Sequence, residues 1–311
     1  MQGSVSWSPD SLDFRIIGEM IVYPSYWNVR KSYKDIAKKI GVDQETIRLR
    51  LRRMRQQGYL LGWRLIPNPL LIGRGSFTLL MEFDDQTANK NARNRLQHTA
   101  GVVIMIEFYE RHLSVNLFHN YSEEELAKEA QSIAFSCKGK LLTFWQRGSP
   151  GVTRKLTKLD WEIIEGLMGN PERKLSDLAD RLGVSTRTVK RKVNDLMQSH
   201  SLFLLPVVDL KKIKGVPCQL LVEADPSKKN ALDRLIIGKF APIMNFRDTG
   251  SRTHSLYGIA CNNVAEAEES RKWIQNQPGV QTVWMNIVGQ LTHVYDWIES
   301  RVSLMVSRSN A

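Results

Sequence analysis

Two stretches of this chain are copies of one another. Tyr33–Met54 (YKDIAKKIGVDQETIRLRLRRM) and Leu175–Leu196 (LSDLADRLGVSTRTVKRKVNDL) align without a gap at an offset of 142 residues. Ahead of them, LDFRIIGEM (Leu12–Met20) matches LDWEIIEGLM (Leu159–Met168). Behind them, NPLLIG ending at Gly73 matches LKKIKG ending at Gly215. The offset is 147 at the first helix and 142 afterwards, so the first copy holds five extra residues near YPSYWN. A 311-residue chain with this repeat reads as two similar halves, each long enough to bury a core.

Each copy carries the same local pattern. Ile36, Ala37 and Ile40 supply a short apolar helix face, and Gly41 permits the left-handed turn that ends it. Asp43 stands where the next helix wants an N-cap, and Ser185 takes that place in the second copy. Ile47, Leu51 and Met54 then recur at i, i+4 and i+7, as do Val189, Val193 and Leu196, which makes them core. GYLLGWRLI (Gly58–Ile66) alternates like a short strand pair. Helix, helix, glycine turn, helix and β-wing together form a winged helix-turn-helix.

Charge then suggests what the third helix does. With 44 Lys and Arg against 32 Asp and Glu the chain has a net charge of +12, which favours a polyanionic partner. Opposite the apolar stripe, Arg48, Arg52 and Arg55 lie on one flank, with Gln44 and Glu45 near the helix start. Side chains so placed suit a helix in the major groove, where arginine reads guanine or clamps phosphate. Arg64 on the wing is positioned to hold the adjacent DNA backbone. The second copy offers Thr186, Arg187 and Lys190, with Arg191 one step round, but Asn194 and Met197 replace Arg52 and Arg55. Arg30–Arg64 has eleven Lys or Arg against three acids, while Lys155–His200 has nine against seven. The first module is therefore expected to be the stronger phosphate binder.

Other classes find less support. No run of 18 apolar residues exists, and the start MQGSVSWSPDSLDF has neither a cationic head nor an apolar core, so a cytoplasmic protein without a membrane span is expected. The basic helix has too narrow an apolar stripe for a membrane surface. Cys137, Cys218 and Cys261 stand far apart, as free thiols would. HExxH, P-loop and GxSxG patterns are absent, and no metal or cofactor is expected. His112 and His119, seven apart on one strand, face opposite ways. His98, His200, His254 and His293 are scattered, as surface or hydrogen-bonded core residues would be.

The order LDxxII…LADRLGVSTRTVKRKVNDL resembles the Lrp/AsnC family of transcription regulators. That resemblance implies an α+β chain in which each winged helix-turn-helix precedes a ferredoxin-like βαββαβ regulatory domain. Its strands and helices fit FTLLMEF, ANKNARNRLQHT, GVVIMIEFYE, HLSVNLFH, SEEELAKEAQSIAF and GKLLTFWQ in the first half. In the second they fit CQLLVEA, SKKNALDRLIIGKF, PIMNFRD, THSLYGIAC, NVAEAEESRKWIQNQ and VQTVWMNIV. Expected domains are residues 1–73, 74–147, 148–215 (opening with the linker RGSPGVTRK) and 216–311, whose tail beyond Val302 is expected to fray. The resemblance implies double-stranded DNA as partner, a homo-oligomer, no catalysis, and an effector such as an amino acid, sought at Thr249, Ser251 and Tyr257. It also admits an alternative, since siroheme decarboxylases resemble the same family. Tyr109, Arg111, Asn116, Leu117 and Phe118 faintly match their strand motif, with His112 displaced and Arg247, Arg252 and His254 offered by the second half.

Overall fold

The structure, a computed structural model, describes residues 7–20 and 33–308. The five-residue insertion near YPSYWN and Arg30 lie outside them. The first half runs α1 (Ser11–Met20), α2 (Tyr33–Ile40), α3 (Gln44–Gln56), β1 (Leu60–Pro67), β2 (Gly75–Glu82), α4 (Gln86–Leu96), β3 (Val102–Phe108), β4 (His112–His119), α5 (Glu123–Ser136) and β5 (Lys140–Arg147). The second repeats it as α6 (Lys158–Met168), α7 (Leu175–Leu182), α8 (Thr186–Gln198), β6 (Leu202–Val208), β7 (Val216–Ala224), α9 (Lys229–Phe240), β8 (Met244–Asp248), β9 (His254–Cys261), α10 (Val264–Gln275) and β10 (Val280–His293), and adds α11 (Asp296–Arg308). The fold is α+β.

The compact units do not follow the halves. Among the described residues, one unit takes 7–20, 33–62 and 206–289, and the other takes 63–205 and 290–308. Each unit thus draws its helix-turn-helix from one half and its ferredoxin-like sheet from the other. The chain changes unit inside β1 and β6, at Gly62, whose φ of 155° favours glycine, and at Pro206, which has no N–H to give to a ladder.

These two strands also correct the expected wing. GYLLGWRLI is not a strand pair within its own module but a single strand, and β1 pairs with β6. Asp209 N donates to Tyr59 O in the first unit and Asn68 N donates to Ser201 O in the second, each at an N–O separation near 2.9 Å (2.8 and 2.9 Å). The alternation of Gly58–Ile66 fits any half-buried strand and carries no turn that would fold it back on itself.

In the first unit the sheet order is β10-β7-β9-β8, and α1 packs on β8. Its core holds Leu220, Val222, Ile236, Phe240, Tyr257, Ile259 and Ile274. In the second unit the order is β5-β2-β4-β3, built round Phe77, Leu79, Met81, Val115, Ala130 and Ile133. Both orders are what a βαββαβ chain gives when its two crossovers are helical. A separate cluster in the second unit joins Trp161, Ile164, Val189, Val193 and Leu196 to Ile298 and Val302. That packing overturns the expected frayed tail: α11 lies on α6 and stays helical through Arg308 because Ile298 and Val302, one turn apart, are fully buried.

Candidate nucleic-acid interface

The helix-turn-helix elements form as their sequences require. Gly41 (φ 81°) and Gly183 (φ 64°) end α2 and α7 in the left-handed region. Asp43 caps α3: Thr46 N donates to its carboxylate at 2.7 Å and the Thr46 hydroxyl at 2.6 Å. Those hydrogen bonds hold the Asp43 carboxyl below its usual range. Ser185 caps α8 through Thr188 N at 3.1 Å. The cap of α3 is therefore an anion and that of α8 an uncharged hydroxyl.

Ile47, Leu51 and Met54 are buried, as are Val189, Val193 and Leu196, so the remaining faces point outward. Gln44, Arg48, Arg52 and Arg55 are exposed on α3, and Thr186, Arg187, Lys190 and Arg191 on α8. Arg48 pairs with Glu45 one turn earlier, a solvent-exposed contact of small worth that a phosphate can replace. The other two arginines of α3 contact the segment ahead of α2. Arg50 reaches Asp10 at 2.5 Å and Asp13 at 3.4 Å, and Arg53 lies 5.7 Å over the Trp7 ring.

Asp13 and its repeat, Asp160, were not singled out by charge or spacing, although LD opens both copied helices. Asp160 is fully buried on α6. It accepts from Thr157 N at 2.8 Å and the Thr157 hydroxyl at 2.7 Å, pairs with Arg154, and meets Lys192 of α8 at 3.2 Å. Lys192 stands 142 residues after Arg50, so an acid on the first helix anchors the third in both copies. The electrostatics nevertheless differ. Burial opposes ionisation of both; at Asp160 the Thr157 hydrogen bonds, Lys192 and Arg154 outweigh it and the pKa falls, while at Asp13 burial wins and the pKa rises.

Several expectations are redrawn. Arg64 is half-buried on β1, and its guanidinium carbon sits 5.0 Å over the Tyr295 ring. Thr249, Ser251 and Tyr257 fall around a buried polar network rather than an open cleft. The Tyr257 hydroxyl donates to Asp233 at 2.5 Å, Ser255 donates to the same oxygen at 2.7 Å, and Lys229 joins Asp233 at 2.8 Å and the Thr249 carbonyl at 2.9 Å. Ser251 is buried and bonds its own loop. His293 is not a hydrogen-bonded core residue, since both its ring nitrogens are buried without a partner.

The residues of the alternative are divided. Tyr109 is exposed, and Arg111 donates to the Asp84 carbonyl. Asn116 is buried, donating to Ser76, Phe77 and Thr78, while Leu117 and Phe118 are core and His112 nears Glu82 at 3.9 Å. Arg252 is exposed, Arg247 half-buried and His254 buried. Among the described residues no three His, Cys, Asp or Glu side chains are placed to hold a metal, and no helix is long and apolar enough to cross a membrane.

Residues 156–200 match the winged helix-turn-helix DNA-binding family model. The siroheme decarboxylase NirDL is similar in structure at a TM-score of 0.54 and 16% identity, covering 96% of this chain and all of its own. It is also known in co-complex with an iron-uroporphyrin III analogue, where the likeness is 0.54 and 15% over 95% of this chain and 99% of that one. Escherichia coli AsnC is similar at a TM-score of 0.33 and 19% identity over 43% of this chain and 93% of its own. No curated protein matches the chain. The expectation that such a chain has no catalysis is thereby corrected: NirDL, an enzyme, has this fold from end to end, so fold gives no ground for excluding an activity. Residues 156–200 of this chain thus match a winged helix-turn-helix DNA-binding model, within a fold similar to that of NirDL over 96% of the chain.

Proposed function

We propose that this chain binds double-stranded DNA through α3 and α8 and regulates transcription. The observation that carries the reading is that both helices, each capped after a glycine turn, bury one face and present basic side chains on the other. A chain with two reading helices of unlike charge is suited to an asymmetric DNA site, with α3 supplying most of the grip on phosphate. Regulation as a homo-oligomer with an effector such as an amino acid follows the same reading. Any effector would need to leave the Asp233–Tyr257 network intact or displace it.

The test is binding to genomic fragments as a function of salt, with Arg48→Ala/Arg52→Ala beside Arg187→Ala/Lys190→Ala. Removing two phosphate-bound cations flattens the slope of log K against log salt by about 1.8. Unchanged affinity and slope in both double variants would reject the assignment.

A second reading is favoured by one observation, the end-to-end likeness to NirDL. In it the chain binds a carboxylated tetrapyrrole, with Tyr109 and Arg111 at the β3–β4 turn as candidate contacts. A saturable shift of the siroheme absorbance band on titration with the chain, lost in Arg111→Ala, supports that reading; an unchanged siroheme spectrum rejects it.

A further inference from the structure

Strand β1, the end of β10 and the approach to α11 bring Arg64, His293 and Tyr295 together within the second unit. The imidazole and phenol rings stack with centroids 5.6 Å apart and planes 15° apart, and the Arg64 guanidinium lies over the phenol ring at 5.0 Å. Both His293 nitrogens and the Tyr295 hydroxyl are shut from solvent without a hydrogen-bond partner, and Arg64 has no carboxylate partner among the described residues. Buried polar atoms are almost always satisfied, and a cluster that is not calls for a missing partner.

A second stack in the same unit shows what satisfaction looks like. His119 and Tyr121 repeat the His-x-Tyr spacing, with rings 5.9 Å and 11° apart. There Tyr121 N donates to His119 Nδ1 at 3.2 Å, and Arg74 donates to Asn120 at 2.5 Å, leaving only His119 Nε2 unpaired. Stacking alone is therefore not the signal; the unpaired His293 nitrogens and Tyr295 hydroxyl beside the Arg64 guanidinium are.

We propose that Arg64, His293 and Tyr295 bind the carboxylate of a small organic monocarboxylic acid. The guanidinium offers a planar fork of donors, the phenol an O–H, and a neutral imidazole one N–H beside one acceptor nitrogen; the fixed positive charge of Arg64 makes the set suit an oxyanion. Burial, with Arg64 beside it, lowers His293 to about 4, so at neutral pH the ring is a neutral donor and not a second cation. Glu299 on α11 also acts on Tyr295, and its charge disfavours the second negative charge of a phosphate. All three residues keep part of their surface exposed, so the cluster lies near the protein surface. The inference does not rest on DNA binding, and its test contains no DNA.

The experiment follows the His293 imidazole by NMR in the full chain, assigned with His293→Gln, during titration with acetate, benzoate and inorganic phosphate. A saturable shift with a monocarboxylate is expected, with binding about tenfold weaker in Tyr295→Phe and in Arg64→Gln, where a charge-assisted pair is lost. Arg64→Lys, which keeps the charge and loses the fork, falls between. Without ligand, Tyr295→Phe leaves the melting temperature unchanged or raised, because it deletes an unpaired buried hydroxyl. No saturable shift with either monocarboxylate, or equal binding in Arg64→Gln, overturns the proposal. Tighter binding of phosphate overturns the monocarboxylate assignment.

Discussion

Replacing Asp160 with Asn tests whether the buried acid of the first helix holds the second helix-turn-helix together. Asparagine keeps an oxygen for the Thr157 amide but loses the charge that faces Arg154 and, at 3.2 Å, Lys192. Hydrogen bonds to a charged group contribute about 1.5–3 kcal/mol each. Full burial of the partners would push the cost of breaking the cluster to about 3–5 kcal/mol. Arg154 and Lys192 keep 24% and 17% of their side-chain surface, so both recover part of their hydration, and the expected loss is about 2–3 kcal/mol. Hydrogen exchange of α6 amides at neutral pH reads this locally, as an opening free energy smaller by that amount. Asp13→Asn provides the control with opposite sign. Its carboxyl is raised by burial, so ionisation already costs stability there, and Asn should be neutral or stabilising for α1. The pH dependence follows. Asp160, with a lowered folded pKa, contributes stability that is present above its unfolded value near 3.8 and lost as pH falls through the folded value. Asp13, with a raised folded pKa, contributes most at low pH and loses that contribution as pH rises from near 3.8 through its folded value. Equal effects of the two substitutions, or an Asp160→Asn loss below about 0.5 kcal/mol, would refute the reasoning.

Three further outcomes follow from the packing. A Cβ on Gly166 would stand 2.3 Å from Arg181 Nη2 and 2.5 Å from Leu178 Cδ1, so Gly166→Ala should cost about 1–3 kcal/mol by forcing α6 from α7, read from thermal unfolding. Gly183→Ala, at φ 64° with open space around it, should cost only about 1 kcal/mol, and a larger loss in the same assay would show that the turn is not merely conformational. Tyr257→Phe removes the 2.5 Å hydrogen bond to Asp233 and should lower stability by about 1.5–3 kcal/mol in urea denaturation; no change would mean the network is slack.

The duplication and the third helix of each helix-turn-helix were legible because they are local. Caps, glycine turns and i, i+4, i+7 apolar spacing are written within some 20 residues, as are the βαββαβ elements. What was not legible was decided at long range. Nothing in GYLLGWRLI names β6 as its partner, so neither the single-stranded wing nor the exchange of segments between the halves was readable. The contact of Arg64 with Tyr295 was not readable because the two are 231 residues apart in sequence, from 64 to 295. Tyr257 looked available because its partner Asp233 lies on another element. The helical tail was missed for the same reason: Ile298 and Val302 are a short apolar pair until α6 is seen beneath them.

The central claim is that α3 and α8 lie on DNA, and a salt-dependent titration of the full chain against genomic fragments tests it most directly, with Arg48→Ala/Arg52→Ala as its partner. The account predicts tight binding whose log K falls steeply with log salt, flattened by about 1.8 in the double variant. Weak binding that is indifferent to both salt and the arginines would contradict it.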